Sequence, residues 1–197
     1  MTNDPDPNPS ALVCEFIPVP EPFHSFLSGE MFDCCMMCEK YLLDDGTQYH
    51  VERAFVQGEP IYEFALCLVC VDQLMSELSK ESLVRLEAHF EERVDFDDRR
   101  NHLLKVSNTD VEPWIERCIL TGKLRSACRS YAIYAHCDGP DLLFAYHPYM
   151  ISEEGMTQLS RLLSKKTRDR LDDFTDEFLG LPPELKGQPD SPQFVPL

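Results

Sequence analysis

Residues 34–70, CCMMCEKYLLDDGTQYHVERAFVQGEPIYEFALCLVC, set two Cys-x-x-Cys pairs, Cys35/Cys38 and Cys67/Cys70, on either side of a stretch that reads as a β-hairpin. A two-residue gap lets both sulfurs of a pair turn toward one ion, and four thiolates in two such pairs are what a tetrahedral zinc needs. Cys34 is an alternative ligand, separated from Cys38 by three residues rather than two. Spacing alone also admits an iron–sulfur cluster. Buried thiols or a redox dithiol are the competing readings, but the βαβ context of a thioredoxin-like motif is missing. Between the pairs, Tyr49, Val51 and Ala54-Phe55-Val56 read as one strand, Gln57-Gly58-Glu59-Pro60 as the turn and Ile61–Ala65 as the return.

Helical periodicity follows the second pair. Val71, Leu74, Met75 and Leu78 share one face, and Leu83, Leu86, Phe90 and Val94 mark a second helix with Ser79 or Ser82 as N-cap. The charged run 91–100 reads as an exposed linker. Upstream, six prolines between Pro5 and Pro22 forbid a helix and suit an extended arm, from which Leu12, Val13, Phe16 and Ile17 can still reach the body.

The second half repeats this grammar. Trp114 and Ile115 precede Cys118; a strand over 131–135 meets a turn at Asp138-Gly139-Pro140 and returns over 142–146. Ser152 reads as the N-cap of a helix with acids in its first turn, and Met156, Leu159, Leu162 and Leu163 supply its apolar stripe. Thr167 begins another helix, bearing Leu171, Phe174, Phe178 and Leu179, which Gly180-Leu181-Pro182-Pro183 stops. Cys35 corresponds to Cys118, Tyr49 to Tyr131, Val51 to Ile133 and Gly58 to Gly139, while Leu74…Leu78-Ser79-Lys80…Leu86 parallels Leu159…Leu163-Ser164-Lys165…Leu171. In this alignment Thr121 stands for Cys38, and the region from His147-Pro148 to Ile151 replaces Cys67–Cys70, so the second copy is expected to be metal-free and held by its apolar core, Trp114 included.

A Cys-x-x-Cys knuckle, a hairpin, and a second Cys-x-x-Cys opening a helix resemble the treble-clef zinc-finger class over about residues 34–80. The resemblance implies one structural zinc at Cys35, Cys38, Cys67 and Cys70, with the helix from Val71 on the hairpin. It implies nothing catalytic. The expected fold is α+β, two tandem treble-clef-like units, the first zinc-binding and the second degenerate. The expected organisation is a Pro-rich arm over 1–22, a zinc-binding unit over 23–100, a metal-free repeat over 101–183 and a tail over 184–197.

Net charge is −17, and residues 1–104 carry 7 Lys/Arg against 21 Asp/Glu. An acidic first half disfavours nucleic acid and acidic membranes. No apolar run approaches a membrane span, the first nine residues lack signal-peptide character, and nine cysteines paired this way point to a reducing compartment. The expectation is a cytoplasmic, non-catalytic zinc-binding module for protein interaction or regulation, with a basic protein partner or a second copy of the chain.

Two alternatives accompany it. The basic cluster Arg161, Lys165, Lys166, Arg168 and Arg170 would serve a nucleic-acid-binding zinc protein. An enzyme with a site between the two halves would use His136, His147, Tyr131, Tyr134, Tyr146 and Tyr149. No G-x-S-x-G, H-E-x-x-H or phosphate-cradling glycine loop occurs. Cys118, Cys128, Cys137 and His147 are a weaker metal set without a knuckle, Cys14 has no evident partner, and His50, which could approach the cysteine-bound metal, reads more simply as a strand-face histidine.

Overall fold

The computed structural model describes residues 15–107 and 109–180. Leu12, Val13, Cys14 and the tail 184–197 lie outside them. The described chain is mixed α and β: one antiparallel six-stranded sheet and six α-helices.

The alternating stretch after Cys38 folds into β2 (Gln48–Val56) and β3 (Glu59–Cys67), preceded by a short β1 (Glu15–Pro18). The β2–β3 turn is tighter than its four-residue reading. Gln57 and Gly58 both take positive φ, 53° and 85°, which gives the twist a two-residue hairpin needs. Glu59 and Pro60 therefore belong to β3. Pro60 cannot donate to a ladder, and it lies at a register shift opposite Phe55, on the strand at the end of the sheet order.

β3 runs straight into α1 (Leu68–Glu77), three residues earlier than the apolar periodicity indicates, with Cys67 at the N-cap. Next comes α2 (Lys80–Arg93), with Ser79 at its N-cap position, then α3 (Phe96–Ser107) and the short α4 (Glu112–Ile115). The stretch read as a linker is thus helical except at Val94 and Asp95. Its charges are not all in water: Arg99 donates to the carbonyls of Trp114 and Pro148, at 2.7 and 2.9 Å, and buried Arg100 donates to that of Phe144 at 2.9 Å.

In the second half the return strand is split. β4 (Ser130–Asp138) turns at Gly139-Pro140 into β5 (Asp141–Phe144), which pairs with only the last two residues of β4 and then with β1. The chain leaves the sheet over 145–148, with a cis His147–Pro148 bond, and rejoins β4 as β6 (Tyr149–Ser152). Ser152 caps α5 (Glu153–Ser160) as expected, its hydroxyl accepting from Gly155 N–H at 3.3 Å. Helix α6 (Lys165–Phe174) begins two residues before Thr167, with Ser164 as its cap, and passes through a π-helical turn to Gly180 at φ 54°.

The halves share the sheet. β2 and β4 pair antiparallel over nine residues, from Gln48↔Asp138 through Glu52↔Tyr134 to Val56↔Ser130. Above it, Ser79 N–H donates to Thr167 Oγ1 at 3.0 Å, and Ser164 N–H donates to Ser82 Oγ at 2.8 Å. Each of α2 and α6 thus satisfies an orphan N–H at the start of the other. The core runs through both halves. Phe64 meets Phe174 edge-on at 5.8 Å, and Trp114, buried as expected, packs on Phe144 at 4.9 Å. On the far face Arg53 pairs with Glu63 at 3.1 Å, and Glu63 also accepts from Ser25 and the Phe26 N–H, which fastens the 22–26 segment to the sheet.

Candidate metal centre

Cys35 and Cys38 ride a tight turn. Cys35 N–H donates to the Lys40 carbonyl and Glu39 N–H to the Cys35 carbonyl, both at 2.8 Å, with Glu39 at φ 59°. Met36 N–H donates to Ala65 O at 2.9 Å, which docks the turn beside the end of β3. There Cys67 stands at the N-cap position of α1, and Cys70 follows in its first turn.

The four sulfurs meet, each within 4.8 Å of the others. Cys38 Sγ and Cys67 Sγ are 3.8 Å apart, the edge of a tetrahedron with bonds of about 2.3 Å. Cys67 N–H points at Cys35 Sγ at 3.4 Å. Burial pushes the Cys35 thiol up, but the backbone N–H groups of Cys67, Cys38 and Met37 outweigh it and hold the thiol below its ordinary range. Burial raises Cys67 and Cys70; the other three sulfurs add to the rise at Cys70, while at Cys67 the bonds from Cys70 oppose it. Such a set gives up protons when a metal arrives, and it can hold one metal ion. Cys34 is exposed and outside the group.

The same hydrogen bonds recur around Cys118. Cys118 N–H donates to Lys123 O and Gly122 N–H to Cys118 O, both at 2.8 Å; Ile119 N–H donates to Met150 O at 2.9 Å; Ser152 N–H points at Cys118 Sγ at 3.3 Å. By these bonds Thr121 takes the place of Cys38, Ser152 that of Cys67 and Gly155 that of Cys70. The expectation that 147–151 replaces the second pair is corrected, because the excursion at 145–148 shifts the match to the start of α5. One thiol remains here, beside two hydroxyls 3.2 Å apart. A Cβ on Gly155 would lie 2.7 Å from Ile151 Cγ2 and 3.2 Å from Cys118 Sγ.

His147 does not join the cysteines of the weaker metal set. Cys128 Sγ contacts Leu124 O at 3.3 Å, and Cys137 is buried on β4, its thiol raised to about 12 by burial. His147 instead meets His50 and His136, with ligand nitrogens all within 4.8 Å. His50 and His136 are cross-strand partners, 4.8 Å apart ring to ring; His147 lies 5.0 Å from His50 and stacks on Tyr149 at 4.7 Å. Burial, then the neighbouring charges of His50, His136 and Arg99, depresses His147 well below the histidine range, and burial depresses His136.

A cavity of about 30 Å³ adjoins this cluster, lined among others by His50, Glu52, Tyr134 and His147. Glu52 is 3 % exposed and accepts from Tyr62 OH at 2.7 Å and Tyr134 OH at 3.4 Å. Burial raises its carboxyl to about 8 against those bonds. Of the residues expected between the halves, His136, His147, Tyr134 and Tyr149 converge. Tyr131 stacks on Phe55, and exposed Tyr146 lies on Phe96. Sequence reasoning missed Glu52, and it weighed His50 only against the cysteine-bound metal, not with His136 and His147. Strand alternation, which puts 50 with 52 and 134 with 136, was the available signal; bringing the two pairs to one face takes the β2–β4 register.

In the basic cluster, Lys165 pairs with Asp169 at 2.6 Å, and Arg170 pairs with Glu77 of α1. No described helix is long and apolar enough to cross a membrane. Comparison of the chain with family models, curated proteins and solved structures finds no match.

Proposed function

We propose that this chain is a zinc-stabilised, non-catalytic module for protein interaction or regulation. In this reading it consists of two treble-clef-like units, of which only the first keeps a four-cysteine ion site. The observation that carries the proposal is the closed sulfur set. Four thiolates from Cys35, Cys38, Cys67 and Cys70 fill a tetrahedron, so a zinc there has no position for water or substrate. Such an ion supplies cross-linking, and its binding free energy is folding free energy.

The two-unit reading is supported by the repeated turn at Cys118 and by the reciprocal bonds between Ser79 and Thr167 and between Ser164 and Ser82. The net charge of −17 favours a basic partner. The test is affinity capture by the folded chain, followed by reconstitution with the purified partner. A complex that re-forms from pure components and weakens with salt is expected. Substrate turnover by the pure chain, with no complex re-formed, overturns the reading.

One observation favours a second reading, an enzyme with its site between the halves: His50, His136, His147, Glu52 and Tyr134 gather where β2 meets β4. Substrate-class screening of the pure chain against its Glu52→Gln variant tests it. Activity lost in the variant supports it, and no activity in either removes it.

A further inference from the structure

Three imidazoles from three separate parts of the chain meet at one point. His50 comes from β2, His136 from the position paired with it on β4, and His147 from the segment that parts β5 from β6. A neutral imidazole offers one donor and one acceptor, so three turned toward one another set lone pairs together or compete for the same protons. Ring packing accounts for His147 on Tyr149. It does not account for His136 Nε2, which is buried without a hydrogen-bond partner.

From this geometry we propose that His50, His136 and His147 form a second metal site for a divalent ion of the zinc class, separate from the four cysteines. Three atoms no more than 4.8 Å apart all lie within about 2.8 Å of a common point, against about 2.0–2.1 Å for a zinc–imidazole bond. Closing the difference takes ring rotations of less than an ångström on each side. Imidazole ligands select zinc, copper, nickel or iron over calcium or magnesium. Three protein ligands leave a tetrahedral ion one position short, the pattern of an open site. The cavity of about 30 Å³ against His50 and His147 has room for the water that completes it.

The charges nearby act in both directions. Arg99, with its guanidinium on the Trp114 and Pro148 carbonyls, opposes a cation. Glu52, on the cavity wall, is the carboxyl that would offset it in its ionised form. This site shares no residue with the cysteine set, so the two stand or fall separately.

The full-length reduced chain, stripped of metal, is titrated anaerobically with Co²⁺, read by absorption and by native mass spectrometry. Two ions per chain are expected. One brings thiolate-to-cobalt charge transfer, and the other brings ligand-field absorption without it. His136→Ala and His147→Gln, each checked for native circular dichroism, are expected to lower affinity for the second ion by more than about tenfold and to leave the charge-transfer band unchanged. A histidine-dependent ion supports the site even where the thiolate band is absent. A wild-type chain that takes one ion, bound by the cysteines, overturns the proposal. So does a second ion that binds equally well to both variants; where one variant does not fold, the other decides.

Discussion

Glu52 shows what a single buried acid does to this sheet. Its carboxyl, raised to about 8, stays protonated in the fold at pH values where the unfolded chain has released its proton. The unfolded state therefore binds fewer protons between the ordinary carboxylate range and about pH 8, and stability falls as pH rises through that window, by up to about 1.4 kcal/mol per unit. Glu52→Gln is expected to flatten this slope in the metal-free protein, measured by urea unfolding at several pH values; an unchanged slope would place its origin elsewhere. Gly155 makes the opposite demand, for nothing at all. An added Cβ would meet Ile151, a buried β-branched side chain with little room to yield. Gly155→Ala is expected to cost about 1–3 kcal/mol, read from the same denaturation midpoints. A neutral substitution would mean that the start of α5 shifts freely.

At the scale of elements, α2 and α6 are joined through exchanged hydroxyls. Ser82→Ala strands the Ser164 N–H, and Thr167→Val strands the Ser79 N–H, each at about 1–3 kcal/mol. Exposed Ser76→Ala, as a control, should stay within about 0.5 kcal/mol. Elements whose pattern answers to one local rule were legible in the sequence. The hairpin of β2 and β3 follows from alternation and Gln57-Gly58, and the α5 cap follows from Ser152. Elements set by tertiary contact were not. The run 91–100 looks solvated because its charges outnumber its apolar residues, yet Arg99 and Arg100 find backbone carbonyls 15 to 49 residues away. The split of β5 from β6 is equally hidden, since Leu142–Tyr146 reads as one continuous apolar strand. That hidden excursion is why the match to Cys67 and Cys70 falls on Ser152 and Gly155 rather than on 147–151. The cysteine set could be read from spacing alone. The histidine cluster needed the β2–β4 register, which joins residues more than eighty positions apart.

For the molecule as a whole, the nine-residue pairing of β2 with β4 makes the sheet a single cooperative structure across both halves. An ion at the cysteines would tie the Cys35 turn to the end of β3 and the start of α1, within that sheet. Removing it is expected to lower one unfolding transition rather than to split it in two. Free zinc at a thousandfold its Kd would restore about 4.1 kcal/mol. Two resolved transitions in calorimetry would show the halves folding separately. The most direct measurement of the structural ion itself is zinc-edge X-ray absorption on the reduced chain loaded with one equivalent. Expected is a shell of four sulfurs near 2.3 Å; a nitrogen or oxygen shell that persists in the His136→Ala chain, or no retained zinc, would contradict a closed site at Cys35, Cys38, Cys67 and Cys70.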